Sequence, residues 1–77
     1  MLTIYSRNNC QACESAKALL KQKDIEFVVK NCDEDWEAYE FIVSQGLRSF
    51  PQIYQGDSLF VEGGFQGLAR KLSHGYK

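Results

Sequence analysis

The spacing of apolar residues divides the first part of the chain into strand, helix and strand. Residues 2–6 form a β-prone run that ends in a turn-prone Arg-Asn-Asn segment, which predicts a first strand. Over residues 11–23, apolar residues return every three or four positions with polar residues between them, which predicts an amphipathic helix. Residues 25–29 form a short, largely apolar run, which is typical of a parallel strand buried on both faces.

A second helix is predicted over residues 34–45, with Asp33 in position to cap its N-terminus. The predicted helix carries a stripe of large residues at helical spacing, formed by Trp36, Tyr39 and Val43. This stripe and the aromatic residue Phe41 are predicted to face the core, and the alternative is that Trp36, Tyr39 and Phe41 form a surface for a partner.

The last third of the chain predicts a hairpin followed by a helix. Residues 52–55 and 58–62 flank a Gly-Asp pair, which is typical of a tight turn between two antiparallel strands. A regular helical stripe follows, formed by Phe65, Leu68, Ala69 and Leu72. Residues 73–77 are predicted to be a flexible tail.

The predicted order is β-α-β-α-β-β-α. In the first three elements the two strands must be parallel with a right-handed crossover, and the hairpin then extends the sheet in the antiparallel sense. With helices available for both faces, this predicts an α/β fold with a four-stranded mixed sheet. The order resembles the thioredoxin-like fold in its smallest form, as a single domain over residues 1–72.

Composition and charge narrow the possible functions. The chain has 77 residues, of which 44% are hydrophobic, so it predicts one small globular domain. Nine Lys and Arg against ten Asp and Glu give a net charge of −1 without a basic cluster, which argues against nucleic-acid binding. No apolar run approaches the ~20 residues that span a membrane. Three cysteines are too few for a secreted disulfide scaffold, which favours a reducing, cytoplasmic location.

The pair Cys10 and Cys13 lies where the first strand ends and the first helix begins. At a helix N-terminus, unpaired backbone N–H groups and the helix dipole stabilise an anion, and Arg7 adds positive charge nearby. Together they are expected to lower the pKa of Cys10 from ~8.5 to roughly 3.5–7.5, which makes it the attacking thiolate. Cys13, which lies deeper, is expected to stay protonated until it resolves a mixed disulfide.

The same cysteine pair is also half of a zinc site. Cys32 and His74 would supply the two further ligands of a set with three cysteines and one histidine. Zinc knuckles usually place both ligand pairs on short turns, whereas Cys32 follows a predicted strand and His74 lies in the predicted tail. The redox interpretation is therefore preferred, and Cys32 is predicted to be a small residue without a catalytic role, with regulatory oxidation or dimerisation as the alternatives.

Three segments together resemble the glutaredoxin family over residues 2–72. They are the strand-Cys-x-x-Cys-helix opening, the Ser-Phe-Pro-Gln-Ile segment around Pro51, and the Gly-Gly-Phe turn at residues 63–65. From the residues alone, Pro51 is a proline at the start of a strand, where its missing N–H is tolerated. The resemblance implies in addition that the Phe50–Pro51 bond is cis and lies beside Cys10. Residues 46–51 also resemble NrdH-type redoxins, which take electrons from thioredoxin reductase. Both families reduce ribonucleotide reductase.

The glutaredoxin pattern implies a monomeric dithiol oxidoreductase without a tightly bound cofactor. It would reduce disulfide-containing proteins or glutathione mixed disulfides, with glutathione as co-substrate, and the alternative is an NrdH-type redoxin. By position, Phe50 would pair with the cysteinyl part of glutathione. The γ-glutamyl end would meet Gly64, Phe65 and Gln66, and the glycine carboxylate would meet Arg7 with Gln45 or Arg48.

Two positions depart from the glutaredoxin pattern. Gln66 stands where many members carry an Asp that binds the γ-glutamyl ammonium. Gln11 and Ala12 replace the usual Pro-Tyr between the cysteines, which leaves an extra backbone N–H near the reactive sulfur, and Gln11 is predicted to be a substrate-binding residue. Some glutaredoxins whose dipeptide lacks proline hold an iron–sulfur cluster between two monomers, so an iron–sulfur carrier remains a further alternative.

Overall fold

A computed structural model describes residues 1–73, and its elements follow the predicted order. They are β1 (Leu2–Ser6), α1 (Gln11–Gln22), β2 (Phe27–Asn31), α2 (Trp36–Ser44), β3 (Gln52–Gln55), β4 (Ser58–Val61) and α3 (Gly64–Ser73). The sheet order is β2-β1-β3-β4, with β1 parallel to β2 and the other pairs antiparallel. The predicted four-stranded mixed sheet and the thioredoxin-like fold are therefore confirmed.

The sheet separates two apolar clusters. On one face, α1 and α3 pack over the sheet, and the buried residues of this cluster are Leu2, Ile4, Ala16, Leu20, Ile53, Phe60, Leu68 and Leu72. On the other face, α2 covers a smaller cluster of Tyr5, Cys32, Ala38, Ile42 and Tyr54. The rings of Tyr5, Phe41 and Tyr54 lie 5.1–5.5 Å apart in this second cluster. The fold therefore has three layers, which are α1 with α3, the sheet, and α2. The end of β1, which leads to the cysteine pair, lies in the middle layer.

The prediction that the second strand is buried on both faces is wrong. The strand begins two residues later than expected, because the backbone N–H of Ile25 bonds to Leu20 O and closes the end of α1. Within the described part of the chain, β2 is an edge strand that pairs only with β1, and Val28 and Val29 are each 43% exposed. Apolar content predicted the strand but could not predict its place in the sheet.

The cap of the second helix is Asp35 and not Asp33. The Asp35 carboxylate accepts hydrogen bonds from the backbone N–H groups of Glu37 and Ala38, at 3.1 and 3.3 Å, as an N-cap side chain does. Asp33 lies two residues earlier and accepts instead from the backbone N–H of Asn8 at 2.8 Å. Both Asp33 and Asp35 could cap the helix by residue type. Asp33 is engaged by Asn8, and Asp35 caps the helix.

The prediction that the α2 stripe faces the core is also wrong. Trp36 is 67% exposed, Tyr39 43% and Val43 51%. The residues of α2 that pack against the sheet are Ala38 and Ile42, which are buried, and Phe41, which is half-buried against Tyr5 and Tyr54 and so lies at the core as predicted. A nine-residue helix lying on a sheet can bury only one narrow side, and here Ala38, Phe41 and Ile42 occupy it.

The third helix ends at the limit of the described residues. It extends to Ser73, the first residue of the predicted tail, and His74 lies outside the described part of the chain. Lys71 Nζ donates a hydrogen bond to Phe60 O at 2.8 Å and lies 4.0 Å from the centre of the Phe60 ring, which ties α3 to β4. Across residues 1–73, none of the helices has the length and apolar character that a membrane span needs.

Candidate active site

Cys10 is the N-cap of α1. Its backbone is extended (φ −118°, ψ 101°), its C=O accepts from the N–H of Glu14 at 3.2 Å, and its Sγ accepts from the N–H of Cys13 at 3.2 Å. The helix start therefore points a backbone donor at this sulfur, and such a donor stabilises negative charge on it. The sequence predicted this placement, because the cysteine follows directly after a strand and a turn.

Cys10 and Cys13 form a disulfide, with their Cα atoms 5.2 Å apart. Cys10 is 9% exposed, whereas Cys13 is completely buried. Of the two cysteines, Cys10 is therefore the one with any exposure to solvent, while Cys13 is bonded to it from within the protein. This arrangement can store two electrons as a dithiol and release them as a disulfide.

A polar network that the sequence did not reveal anchors the loop before Cys10. Asn31 Nδ2 donates to Asn8 Oδ1 at 2.9 Å, and the Asn8 N–H donates to Asp33 at 2.8 Å. Asn31 Oδ1 in turn accepts from the N–H of Asp33 at 2.8 Å. The network joins the ends of two parallel strands, which lie at the same edge of the sheet. Residues 23–25 positions apart in sequence thereby fix the loop that carries the reactive sulfur.

A shallow groove of about 440 Å³ lies beside the helix start. Its lining residues are Ala12, Ser49, Phe50, Gly63, Gly64, Phe65 and Gln66. The Phe50–Pro51 peptide bond is cis, as the resemblance predicts, and Pro51 is buried next to the lining residue Phe50. Gly64 (φ +60°) lies so close that a Cβ on it would be 3.5 Å from Pro51 O, so the glycine turn and the proline are in contact.

The structure brings together some of the predicted binding residues and not others. Phe50, Gly64, Phe65 and Gln66 line the groove, whereas Pro51 is buried and is not among the lining residues. Arg7, Gln11 and Arg48 are exposed and are not among the lining residues. Among residues 1–73, those that line the groove therefore carry no charged side chain.

Gln52 is a site residue that sequence reasoning missed. Its side chain is only 6% exposed, and its Nε2 donates to Ser49 O at 2.8 Å and to Ser49 Oγ at 3.1 Å. These bonds brace the loop that forms one wall of the groove. A polar residue directly after the proline was the available signal, because a buried amide in a strand needs a partner of its own.

Gln52→Ala is expected to lower the free energy of unfolding by about 1–2 kcal/mol, because it removes two hydrogen bonds from a buried site. The matched control is Gln55→Ala on the exposed end of the same strand, which should change stability by less than about 0.5 kcal/mol. Urea denaturation of the three proteins measures both values. Equal losses for the two variants would contradict the bracing role of Gln52.

Cys32 lies apart from the groove, in the cluster beneath α2. It is a free thiol that is 7% exposed, and burial, with the carboxylates of Asp33 and Asp35 adding to it, raises the pKa of this thiol to about 11. In residues 1–73, no three His, Cys, Asp or Glu side chains are grouped so that they could hold a metal ion. His74, the fourth ligand of the alternative zinc site, lies outside the described residues.

In the oxidised protein, iodoacetamide is expected to label Cys32 far more slowly at pH 7.5 than it labels a free cysteine. The raised pKa leaves little thiolate at that pH, and the rate should still be rising between pH 9 and 10, where that of an unperturbed thiol levels off near its pKa of ~8.5. Mass spectrometry of the labelled protein measures this rate. Cys32→Ala should remove all labelling, and fast labelling at pH 7.5 would refute the buried environment.

Comparison with known proteins agrees with this geometry. The Glutaredoxin family model matches residues 2–60. The "Glutaredoxin-like protein NrdH" of Lactococcus lactis subsp. cremoris is 38% identical over 60 residues, covering 78% of this chain and 83% of that protein.

Two solved structures extend the likeness to the whole fold. The NrdH-redoxin of Escherichia coli, described as having a thioredoxin-like activity profile, is 30% identical with a TM-score of 0.78, covering 99% of this chain and 97% of that one. The glutaredoxin of Brucella melitensis is 33% identical with a TM-score of 0.74, covering 96% and 79%. With its cysteine pair at the start of α1, the chain belongs to the glutaredoxin family of thiol–disulfide oxidoreductases.

Proposed function

We propose that the chain reduces a disulfide in a partner protein, such as ribonucleotide reductase, and is itself reduced by thioredoxin reductase and not by glutathione. The observation that carries the choice of electron source is the uncharged lining of the groove. The protein would act in the cytoplasm, where NADPH-driven reductases keep dithiols reduced. It would act there as a monomer.

The reaction proceeds by two thiol–disulfide exchanges. The Cys10 thiolate attacks one sulfur of the partner disulfide, which forms a mixed disulfide and releases the second partner sulfur as a thiolate that takes up a proton. Cys13 then loses its proton and attacks Cys10 Sγ, which releases the first partner sulfur as a thiol. The products are the Cys10–Cys13 disulfide and a partner dithiol, so two electrons have moved to the partner.

The groove suits a peptide backbone better than it suits glutathione. Glutathione carries two carboxylates and one ammonium group, and each must lose part of its hydration on binding. The described lining offers glycines, Ser49, aromatic rings and the Gln66 amide, but no charge to replace that hydration. An extended segment of a partner protein has a neutral backbone, and it can pair with exposed backbone groups as an additional strand does.

The similarity to NrdH proteins supports the same electron source. The Lactococcus lactis relative is named as a glutaredoxin-like NrdH protein, and its match covers most of both chains. The Escherichia coli NrdH-redoxin is described by its thioredoxin-like activity profile. Reduction by thioredoxin reductase is the property that the NrdH resemblance implies for this chain.

NADPH consumption with insulin as the disulfide substrate tests the proposal. One reaction contains thioredoxin reductase alone, and the other contains glutathione with glutathione reductase. We expect turnover with thioredoxin reductase and little above background with glutathione. Turnover only with glutathione would overturn the proposed electron source. If the protein, reduced beforehand with dithiothreitol, also failed to reduce insulin, the proposed reaction itself would be wrong.

A further inference from the structure

The outward side of α2 combines exposed aromatic rings with carboxylates. Trp36 and Tyr39 lie with their ring centres 5.4 Å apart and their planes inclined by 31°. Together with Glu37, Glu40 and Val43 they line a groove of about 610 Å³, and we call these five residues the α2 surface. Large aromatic rings exposed to water on a small domain are typical of protein-binding sites.

Negative charge is concentrated at the same place. Five of the ten acidic residues lie within residues 33–40, and no Lys or Arg occurs from residue 31 to residue 47. The five acidic residues elsewhere are outnumbered by the nine Lys and Arg, so the rest of the chain carries a net charge of +4. A protein with a net charge of −1 is therefore strongly polarised, with its negative end at the start of α2.

The carboxylates of the α2 surface are available to a partner. Asp33 and Asp35 are engaged by backbone N–H groups of the protein itself. Glu37 and Glu40, by contrast, are exposed, and among the ion pairs formed by residues 1–73 neither takes part in one. Two unpaired carboxylates beside two aromatic rings provide both electrostatic and cation–π attraction for the same cationic group.

The α2 surface begins at the same end of the sheet as Cys10. β1 and β2 are parallel, so the loop that leads from β1 to Cys10 and the loop that leads from β2 to α2 leave the sheet at one edge. The hydrogen bond from the Asn8 N–H to Asp33 Oδ2, at 2.8 Å, joins these two loops directly. A protein that presents a disulfide to Cys10 can therefore extend over Trp36.

Because the α2 surface is negatively charged and aromatic, we propose that it binds a segment of opposite charge. This segment would be rich in Lys and Arg and would lie beside the disulfide of the partner protein. The proposal rests on the proposed function, because it identifies the chemistry of the substrate of that reaction. Arg or Lys side chains would stack on Trp36 and Tyr39 and pair with Glu37 and Glu40. This attraction would raise the rate of encounter and would weaken with salt.

Two synthetic peptides test the preference. Each has the same loop closed by a disulfide, flanked by four Arg in one peptide and by four Glu in the other. Protein reduced with dithiothreitol and desalted is mixed with each peptide, and the rate of peptide reduction is measured. At low salt we expect the basic peptide to react about tenfold faster, and in 0.5 M salt we expect the difference to fall to less than about twofold.

Glu37→Gln with Glu40→Gln should reduce the tenfold preference to about threefold or less. The matched control is Asp24→Asn with Glu26→Gln, which removes the same charge from exposed residues before the start of β2, at the opposite end of the sheet. The control should keep the preference. A preference that is absent, or that both double variants lose equally, would overturn the proposal.

Trp36 gives a reading that does not depend on redox chemistry, because it is the single tryptophan of the chain. Versions of the peptides with serine in place of cysteine are titrated while Trp36 emission is recorded. We expect a saturable change with the basic peptide, and none with the acidic peptide or with the Glu37→Gln, Glu40→Gln protein. No change with the basic peptide would overturn the docking proposal.

The two measurements separate the possible failures. If neither disulfide peptide is reduced but Trp36 emission responds to the basic peptide, the proposed function fails and the binding surface stands. If both peptides are reduced at equal rates and the emission does not respond, the function stands and the surface fails. Emission that changes with the concentration of the protein alone would show a second copy as the occupant and would overturn the proposed partner.

Discussion

Cys10→Ser is expected to lower the rate of insulin reduction to the uncatalysed background. The reactive group must be ionised to attack a disulfide, and a serine hydroxyl remains protonated at neutral pH. The backbone N–H of Cys13 that donates to Cys10 Sγ at 3.2 Å favours the charge on a thiolate, but it cannot ionise an alcohol. Cys13 cannot take over the reaction, because it is completely buried.

Cys13→Ser is expected to give a different defect, which separates the roles of the two cysteines. Cys10 would still attack, but without the second thiol the mixed disulfide with the substrate would accumulate. Non-reducing gel electrophoresis would then show a covalent complex with insulin for Cys13→Ser and none for Cys10→Ser. Cys32→Ala is the control, and it should keep the activity of the unaltered protein. A Cys10→Ser protein that retained activity would refute the assignment.

Gly67→Ala is expected to destabilise the protein by about 3 kcal/mol, which for a domain of this size lowers the melting temperature by about 15 °C. A Cβ at this position would overlap Glu62 O and lie 2.8 Å from Glu62 C, and neither backbone atom can rotate away as a side chain could. The helix would have to move off the loop. That movement would disturb Leu68 and Leu72 in the core.

The control for this substitution is Gly56→Ala in the hairpin turn. Gly56 also has a constrained backbone (φ +62°), but a Cβ there meets nothing within 4 Å. Only the cost of the left-handed conformation applies, about 1 kcal/mol. Thermal denaturation followed by circular dichroism compares the three proteins. A Gly67→Ala protein as stable as Gly56→Ala would show that α3 can shift without loss.

Much of the fold was predictable because each element carries its own local signal. The alternation of Leu2–Ser6, the helical spacing of α1 and α3, and the Gly-Asp turn between β3 and β4 each act within a few residues. Errors occurred where a neighbour in space decides the outcome. The apolar residues of β2 indicate a strand, but its exposed valines follow from its place at the sheet edge.

The candidate site divides in the same way. The position of Cys10 at a helix start followed from the order of strand, turn and helix in the sequence, and the resemblance supplied the cis Phe50–Pro51 bond. The bonds of Gln52 to Ser49, and the anchoring of Asn8 by Asp33, could not be predicted. They depend on which polar atoms meet after the chain has folded.

The sequence by itself determined the order of the elements, the family and the placement of the cysteine pair, because these depend on periodicity, turn residues and short motifs. Tertiary structure decided which faces of those elements are covered. Helical spacing alone predicts that Trp36 faces the core, and helix propensity alone would favour alanine over glycine at residue 67 by about 1 kcal/mol. Both expectations reverse because α2 turns Ala38 and Ile42 to the sheet, and because Glu62 O occupies the space beside Gly67.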